Sequence, residues 1–195
     1  MSDQIKHECG IALVHLKKPL YFYQQKYGSH MYGVDKMFLM MEKQKNRGQD
    51  GAGFASLKLN LKPGDKYLHR VRSFDQQAIH SVFKKINKKI NQFIKSEKTD
   101  FNSDDFYRKT PFLGQVMLGH VRYGTFGKNS IENVHPVMRQ NNWMNRNLIL
   151  AGNFNMTNND ELFESLVKLG QHPREQSDTI TIMEKIGHFL DTEVI

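Results

Sequence analysis

Apolar residues recur with two different spacings along this chain, and each change of spacing marks an element. The run CGIALVHL, apolar and bounded by polar residues, predicts a buried strand from Cys9 to Leu16. From Gly33 to Lys45, residues Val34, Met37, Phe38 and Met41 share one helical face, and NRG stops the helix. GAGFASLKLNL and KYLHRVRSF predict short strands joined by KPGD, whose Pro and Gly suit a hairpin turn. Ser73 and Gln76 have the spacing of a capping box. The helix it opens carries Ile79, Val82, Phe83, Ile86, Ile90, Phe93 and Ile94 on one stripe. Polar SEKTDFNSDD then predicts an exposed loop. In the second half, GQVMLGHVRYGTFG and NLILAGNFN each read as a strand followed by a turn. NDELFESLVKLGQHP predicts a helix with Leu162, Phe163, Leu166 and Val167 inward, closed by Gly170 and Pro173. A last helix is expected from about Asp178 to Leu190. The sum is a mixed α/β chain with several non-parallel strands and helices outside them.

Composition narrows the setting. With 195 residues, 38% hydrophobic and 25% charged, the chain reads as globular rather than disordered or membrane-spanning. No apolar stretch approaches the roughly 20 residues that cross a bilayer. The polar start MSDQIKHE is not a secretory signal. A single cysteine excludes an intramolecular disulfide and a Cys-based zinc site. These features predict a cytoplasmic protein without a membrane partner. The net charge of +8 could serve nucleic acid or an anionic substrate. Lys84, Lys85, Lys88, Lys89 and Lys95 lie mainly off the apolar stripe, however, so a solvated helix face explains them and no nucleic-acid partner is expected.

A lone cysteine in such a chain is most often a small buried hydrophobe. Cys9 is set apart by the other segments it occurs with: NRGQDGAG at 46–53, GHVRYGTFG at 119–127, LAGNFNMTN at 150–158 and QSDT at 176–179. Each ends a strand or opens a helix with glycines and polar groups, where backbone can approach a ligand.

In these residues the sequence resembles the class-II, N-terminal-nucleophile glutamine amidotransferases, and most closely the glutaminase half of the amidophosphoribosyltransferases. The likeness runs from Cys9 to about residue 190. HVRYGT favours that branch over the glucosamine-6-phosphate and asparagine synthetases, which use different residues around the Arg. The resemblance implies an α+β fold, the four-layer αββα sandwich, truncated here at its C-terminal end. It implies hydrolysis of L-glutamine to glutamate and ammonia through a cysteinyl thioester. It also implies that Met1–Glu8 is a removable leader, because in this family the nucleophile is the first residue of the mature enzyme and its α-amine is the base. That pairing suits the chemistry: a thiol of pKa about 8.5 is only a few per cent thiolate at neutral pH, and an amine of about 7.7–8.0 is a matched acceptor.

The resemblance carries roles to individual residues. Cys9 matches the nucleophile, and Asn153 the side-chain donor of the oxyanion hole. Arg122 matches the guanidinium that holds the substrate α-carboxylate, assisted by Thr125, and Asp178 the acid that meets the α-ammonium. Arg47 is expected to brace the Cys9 loop from outside the first contact layer. Taken singly, Arg122 and Asp178 could be a structural ion pair, Asn153 a turn residue, Thr125 a cap and Arg47 a surface charge. The family reads His-Asn-Gly where this chain has Gly152-Asn153-Phe154. Phe154 would then supply the second oxyanion donor through its N–H, with strain if the site needs φ > 0.

Residues from about 73 to 110 are expected to be a helical insertion. No diphosphate-binding run with paired acids and no P-loop occurs. The expected partner is therefore a phosphoribosyltransferase domain outside this chain, the acceptor of ammonia in the first committed step of purine synthesis. No cofactor is expected in this portion, and Mg2+ only in that missing domain; a homo-oligomer is expected. The alternatives are a catalytically degenerate glutamine-binding regulatory module and an amidotransferase with another ammonia acceptor.

Overall fold

Strand periodicity in the first part of the chain resolves into one antiparallel sheet. The structure, a computed structural model, describes residues 8–59, 61–62, 64–97, 103–124, 130–173 and 175–193. They fall into two units, divided between His135 and Pro136.

In the first unit, β1 (Gly10–His15), β2 (Gly51–Leu57), β3 (Leu68–Ser73) and β4 (Val116–Arg122) form a sheet in the order β1-β4-β2-β3. Every pair is antiparallel. The helices are α1 (Leu20–Tyr27), α2 (Tyr32–Lys43), α3 (Ala78–Ser96) and α4 (Asp104–Lys109). α2 lies against β1 and β4, and α3 against β2 and β3. The helical stripes read from the sequence supply the core: Val34, Met37 and Met41 are buried on α2, and Ile79, Val82, Phe83, Ile86 and Ile90 on α3. Phe83 packs edge-on to Phe38 and Phe54, with ring centroids 5.1 and 5.7 Å apart. Lys84, Lys85, Lys88, Lys89 and Lys95 are exposed, as expected of a solvated face.

Four expectations need correction here. β1 is not buried on both faces: it is an edge strand, and Ile11 and Leu13 are 46% and 63% exposed. A short apolar run does not reveal how many faces are covered. Ser73 and Gln76 make no capping box, because α3 starts at Ala78 with no side-chain cap and Ser73 ends β3, donating instead to Asp75 at 2.6 Å. The expected loop SEKTDFNSDD ends in structure: Ser103 caps α4 by accepting from the Phe106 N–H, and Asp104 and Asp105 form its first turn. Its residues 98–102 lie outside the described residues, as does Pro63 of the hairpin turn. The fourth correction falls in the second unit, on Val167.

That unit pairs β5 (Val137–Arg139) with β6 (Leu148–Leu150) and packs α5 (Asn159–Lys168) against α6 (Asp178–Thr192). Leu166 is fully buried, Leu162 and Phe163 are half-buried, and Val167 is exposed. A single partner helix covers a narrower stripe than the apolar positions of α5 offer. Gly170, at φ 79°, closes α5: its N–H and that of Gln171 bond the carbonyls of Val167 and Leu166. Arg139 is anchored to Glu184 and Asp191 of α6, with its side chain 11% exposed. No helix among the described residues is long and apolar enough to cross a membrane.

Candidate active site

Strand order decides which motifs meet in the first unit. β1 and β2 run the same way, with β4 antiparallel between them, so the starts of β1 and β2 lie beside the end of β4. Gly10 is opposite Val121, and Gly51 opposite Arg122. Cys9, one residue before β1, therefore lies next to the segment just past Arg122. The Tyr123 N–H donates to Cys9 Sγ at 3.4 Å, and the half-buried thiol lies 3.8 Å from the Tyr123 carbonyl oxygen. Asp50 closes the other side: its N–H donates to the Arg122 carbonyl at 3.0 Å, and its carboxylate accepts from the Gly124 N–H at 2.8 Å.

Gly48 shows how tight this end is. Its backbone is extended at φ −157°, which any residue adopts, but a Cβ there would lie 2.5 Å from the Arg122 carbonyl carbon. Only hydrogen fits. Arg122 is 7% exposed, and Arg47, well exposed, pairs at 3.4 Å with the equally exposed Glu8. An exposed pair of this length contributes little to stability. Next to Arg122 on β4, His120 is fully buried; both its ring nitrogens lack a hydrogen-bond partner among the described residues, and its ring lies 4.7 Å from that of His135. Burial, with the neighbouring His135 and Arg122 charges adding, pushes His120 down to about 3. It is neutral at pH 7.

In the second unit, the residues after β6 run without regular structure from 151 to 156. Asn153 is exposed, and Phe154 is 38% exposed. The Phe154 ring lies where a Cβ on Gly152 would stand. Phe154 does not have a positive φ; among the described residues other than glycine, Phe112 alone does. The strain anticipated at Phe154 is absent. Asp178 opens α6 behind the Ser177 cap, and its carboxylate accepts from the Met156 N–H at 2.8 Å. Asp178 thereby tethers the loop that carries Asn153 and Phe154.

The structure thus brings together Cys9, Arg47 and Arg122 in one unit, and Asn153, Phe154 and Asp178 in the other. Thr125 lies outside the described residues. Asp50, His120 and Met156 join these groups without a role implied by the motifs. Asp50 was within reach as the acid closing NRGQD, whereas His120 and Met156 are recognisable only from pairing and burial.

No family model matches the chain. An amidophosphoribosyltransferase of Lacticaseibacillus casei is 36% identical over 77 residues, 40% of this chain and 39% of that protein. The amidophosphoribosyltransferase of Bacillus subtilis (strain 168) is 38% identical over 80 residues, 39% of this chain and 16% of that protein. The solved glutamine phosphoribosylpyrophosphate amidotransferase of B. subtilis, complexed with ADP and GMP, superposes with a TM-score of 0.51 at 24% identity, over 96% of this chain and 29% of that one. The likeness to that structure is one of fold: mixed α and β with antiparallel sheets. The homologues of this chain are glutamine amidotransferases. More narrowly, they are amidophosphoribosyltransferases, and the chain spans well under half the length of those it matches.

Proposed function

We propose that this chain is the glutaminase domain of an amidophosphoribosyltransferase acting in purine synthesis, with the four-layer sandwich of N-terminal-nucleophile hydrolases. The observation that carries the reading is the position of Cys9, half-buried at the mouth of β1 with its sulfur on the Tyr123 backbone beside the buried Arg122. The homology to amidophosphoribosyltransferases supports it independently.

Processing comes first. The Cys9 thiol attacks the Glu8 carbonyl, its proton passing to the departing Cys9 nitrogen, and the peptide becomes a thioester. Water hydrolyses that ester, releasing Met1–Glu8 and leaving a free thiol and α-amine. In turnover the amine takes the thiol proton, and sulfur attacks the side-chain amide carbon of L-glutamine. The Asn153 side chain and the Phe154 N–H stabilise the oxyanion. Collapse expels ammonia with the proton held by the amine; water then cleaves the glutamyl thioester to glutamate.

Arg122 with Thr125 receives the substrate carboxylate, and Asp178 its ammonium. Arg47, freed of Glu8, braces the Cys9 loop. Residues 73–110 are an insertion outside this chemistry. Ammonia passes to a phosphoribosyltransferase domain, where Mg2+ acts; this portion needs no cofactor. The protein is a cytoplasmic homo-oligomer without nucleic-acid or membrane partners.

Intact mass and ammonia release on the purified chain test the proposal. The expected result is loss of eight residues and glutamine-dependent ammonia, with Cys9→Ala unprocessed and inactive by a factor of about 10³ or more. Ammonia release by Cys9→Ala, or activity with the leader still attached, overturns the mechanism. Glutamine binding without ammonia assigns the chain to the degenerate regulatory module.

A further inference from the structure

The opposite end of the first unit's sheet, where β1 finishes and β4 begins, carries chemistry that glutamine hydrolysis does not use. A cleft of about 420 Å3 opens there, with Leu16, Leu113, Lys58 and Tyr107 in its wall and Lys17 and Lys18 exposed at its rim. That volume lies within the roughly 300–1,000 Å3 of sites for small organic ligands.

Two side chains in the wall are incompletely matched. Lys58 is 4% exposed, and its ammonium donates to the carbonyl oxygens of Arg108 and Thr110 at 2.7 and 2.6 Å. Those bonds fix its position, but neither partner carries a charge. Burial pushes Lys58 down to about 8, with Asp65 opposing only in part. Tyr107 is 5% exposed, and its buried hydroxyl has no hydrogen-bond partner among the described residues. Burial pushes it up to about 12, so it stays a proton donor.

The remaining charges around the cleft leave a positive excess. Arg108 is engaged by Asp65 at 2.8 Å and by Asp105, so its guanidinium is already neutralised. Among the described residues that line the cleft, Asp104 is the one carboxylate, against Lys17, Lys18 and Lys58. Lys17 Nζ is 3.1 Å from Nδ1 of His15.

We propose that this cleft binds a small phosphate ester, its phosphate held by Lys58, Tyr107 and the two rim lysines and its apolar body set against Leu16 and Leu113. Phosphate fits better than carboxylate. Three separate ammonium groups and a hydroxyl match an anion with several acceptor oxygens, whereas a planar carboxylate is best met by an Arg fork, and the fork present is occupied. The ligand would give Lys58 a counter-charge and Tyr107 its missing acceptor. This site involves none of the groups around Cys9 and stands whether or not glutamine is the substrate.

The test is calorimetric titration of the full chain at constant ionic strength with phenyl phosphate, inorganic phosphate and phenol. Saturable binding of phenyl phosphate is expected, weaker binding of inorganic phosphate, and none of phenol. The Lys17→Ala/Lys18→Ala variant, altered only at exposed positions, should bind phenyl phosphate about tenfold more weakly or worse. Tyr107→Phe should weaken it severalfold with an unchanged circular dichroism spectrum, and it carries the test if Lys58→Met does not fold. Absence of saturable binding overturns the proposal. So does wild-type affinity in both the lysine and Tyr107→Phe variants.

Discussion

The two groups of candidate site residues are held in different ways. Around Cys9 the position of each group follows from strand pairing: Gly10 opposite Val121, Gly51 opposite Arg122, the Tyr123 N–H on the Cys9 sulfur, and a backbone bond from Asp50 to Arg122. Around Asn153 the chain is irregular from 151 to 156, and the carboxylate of Asp178 ties it down. Backbone changes should therefore damage the first region through stability. Side-chain changes should disorganise the second while the fold persists.

The largest expected effect concerns acid. His120 and His69 in the first unit are both pushed down to about 3, each chiefly by burial; His135 and Arg122 add to this at His120, and Lys58, Lys66 and Lys89 at His69. Unfolding returns them to about 6.5. The unfolded state then binds more protons between about pH 6.5 and 3, so stability is full above that window and falls as pH drops through it. Denaturant midpoints across pH 7 to 4 should show this slope, and His120→Phe should reduce it; a flat profile would mean these rings are protonated in the folded protein.

Next comes Gly48→Ala, whose methyl must push against the Arg122 backbone; overpacking of this kind lowers stability by about 1–3 kcal/mol. Asp178→Ala removes the Met156 acceptor and an acid at a helix start, together about 1–2 kcal/mol, yet should abolish ammonia release. If Asp178→Ala proves the more destabilising of the two, the contrast between the regions fails. Smallest is Phe154→Ala, half-exposed and unstrained, with a stability change below about 1 kcal/mol by thermal melt. A larger loss would show that the ring, not Asp178, holds the loop.

Much of the fold is legible in the residues. The α3 stripe, α2 up to NRG, the β2–β3 hairpin and α6 all follow from periodicity and end signals. α1 escaped because it is packed by aromatic stacking rather than an apolar stripe: Tyr27 and Tyr32 lie 4.3 Å apart, and Tyr23 and Tyr32 5.1 Å. β5 escaped because three residues show no period. The capping-box spacing at Ser73 misled because β3 claims that residue, and a strand bond outweighs a local motif.

What the amino-acid order determined by itself was local: which stretches are helical or extended, which face is apolar, and which loops have the glycines and polar groups to approach a ligand. Only the tertiary structure decided that β4 inserts between β1 and β2, which sets Cys9 against a residue 114 positions away. It likewise decided that Lys58 and Tyr107 share a cleft at the other end. The reason is physical: side-chain period specifies a face of a strand, but the neighbour that covers that face, or pairs with its edge, is chosen by the packing of the whole sheet.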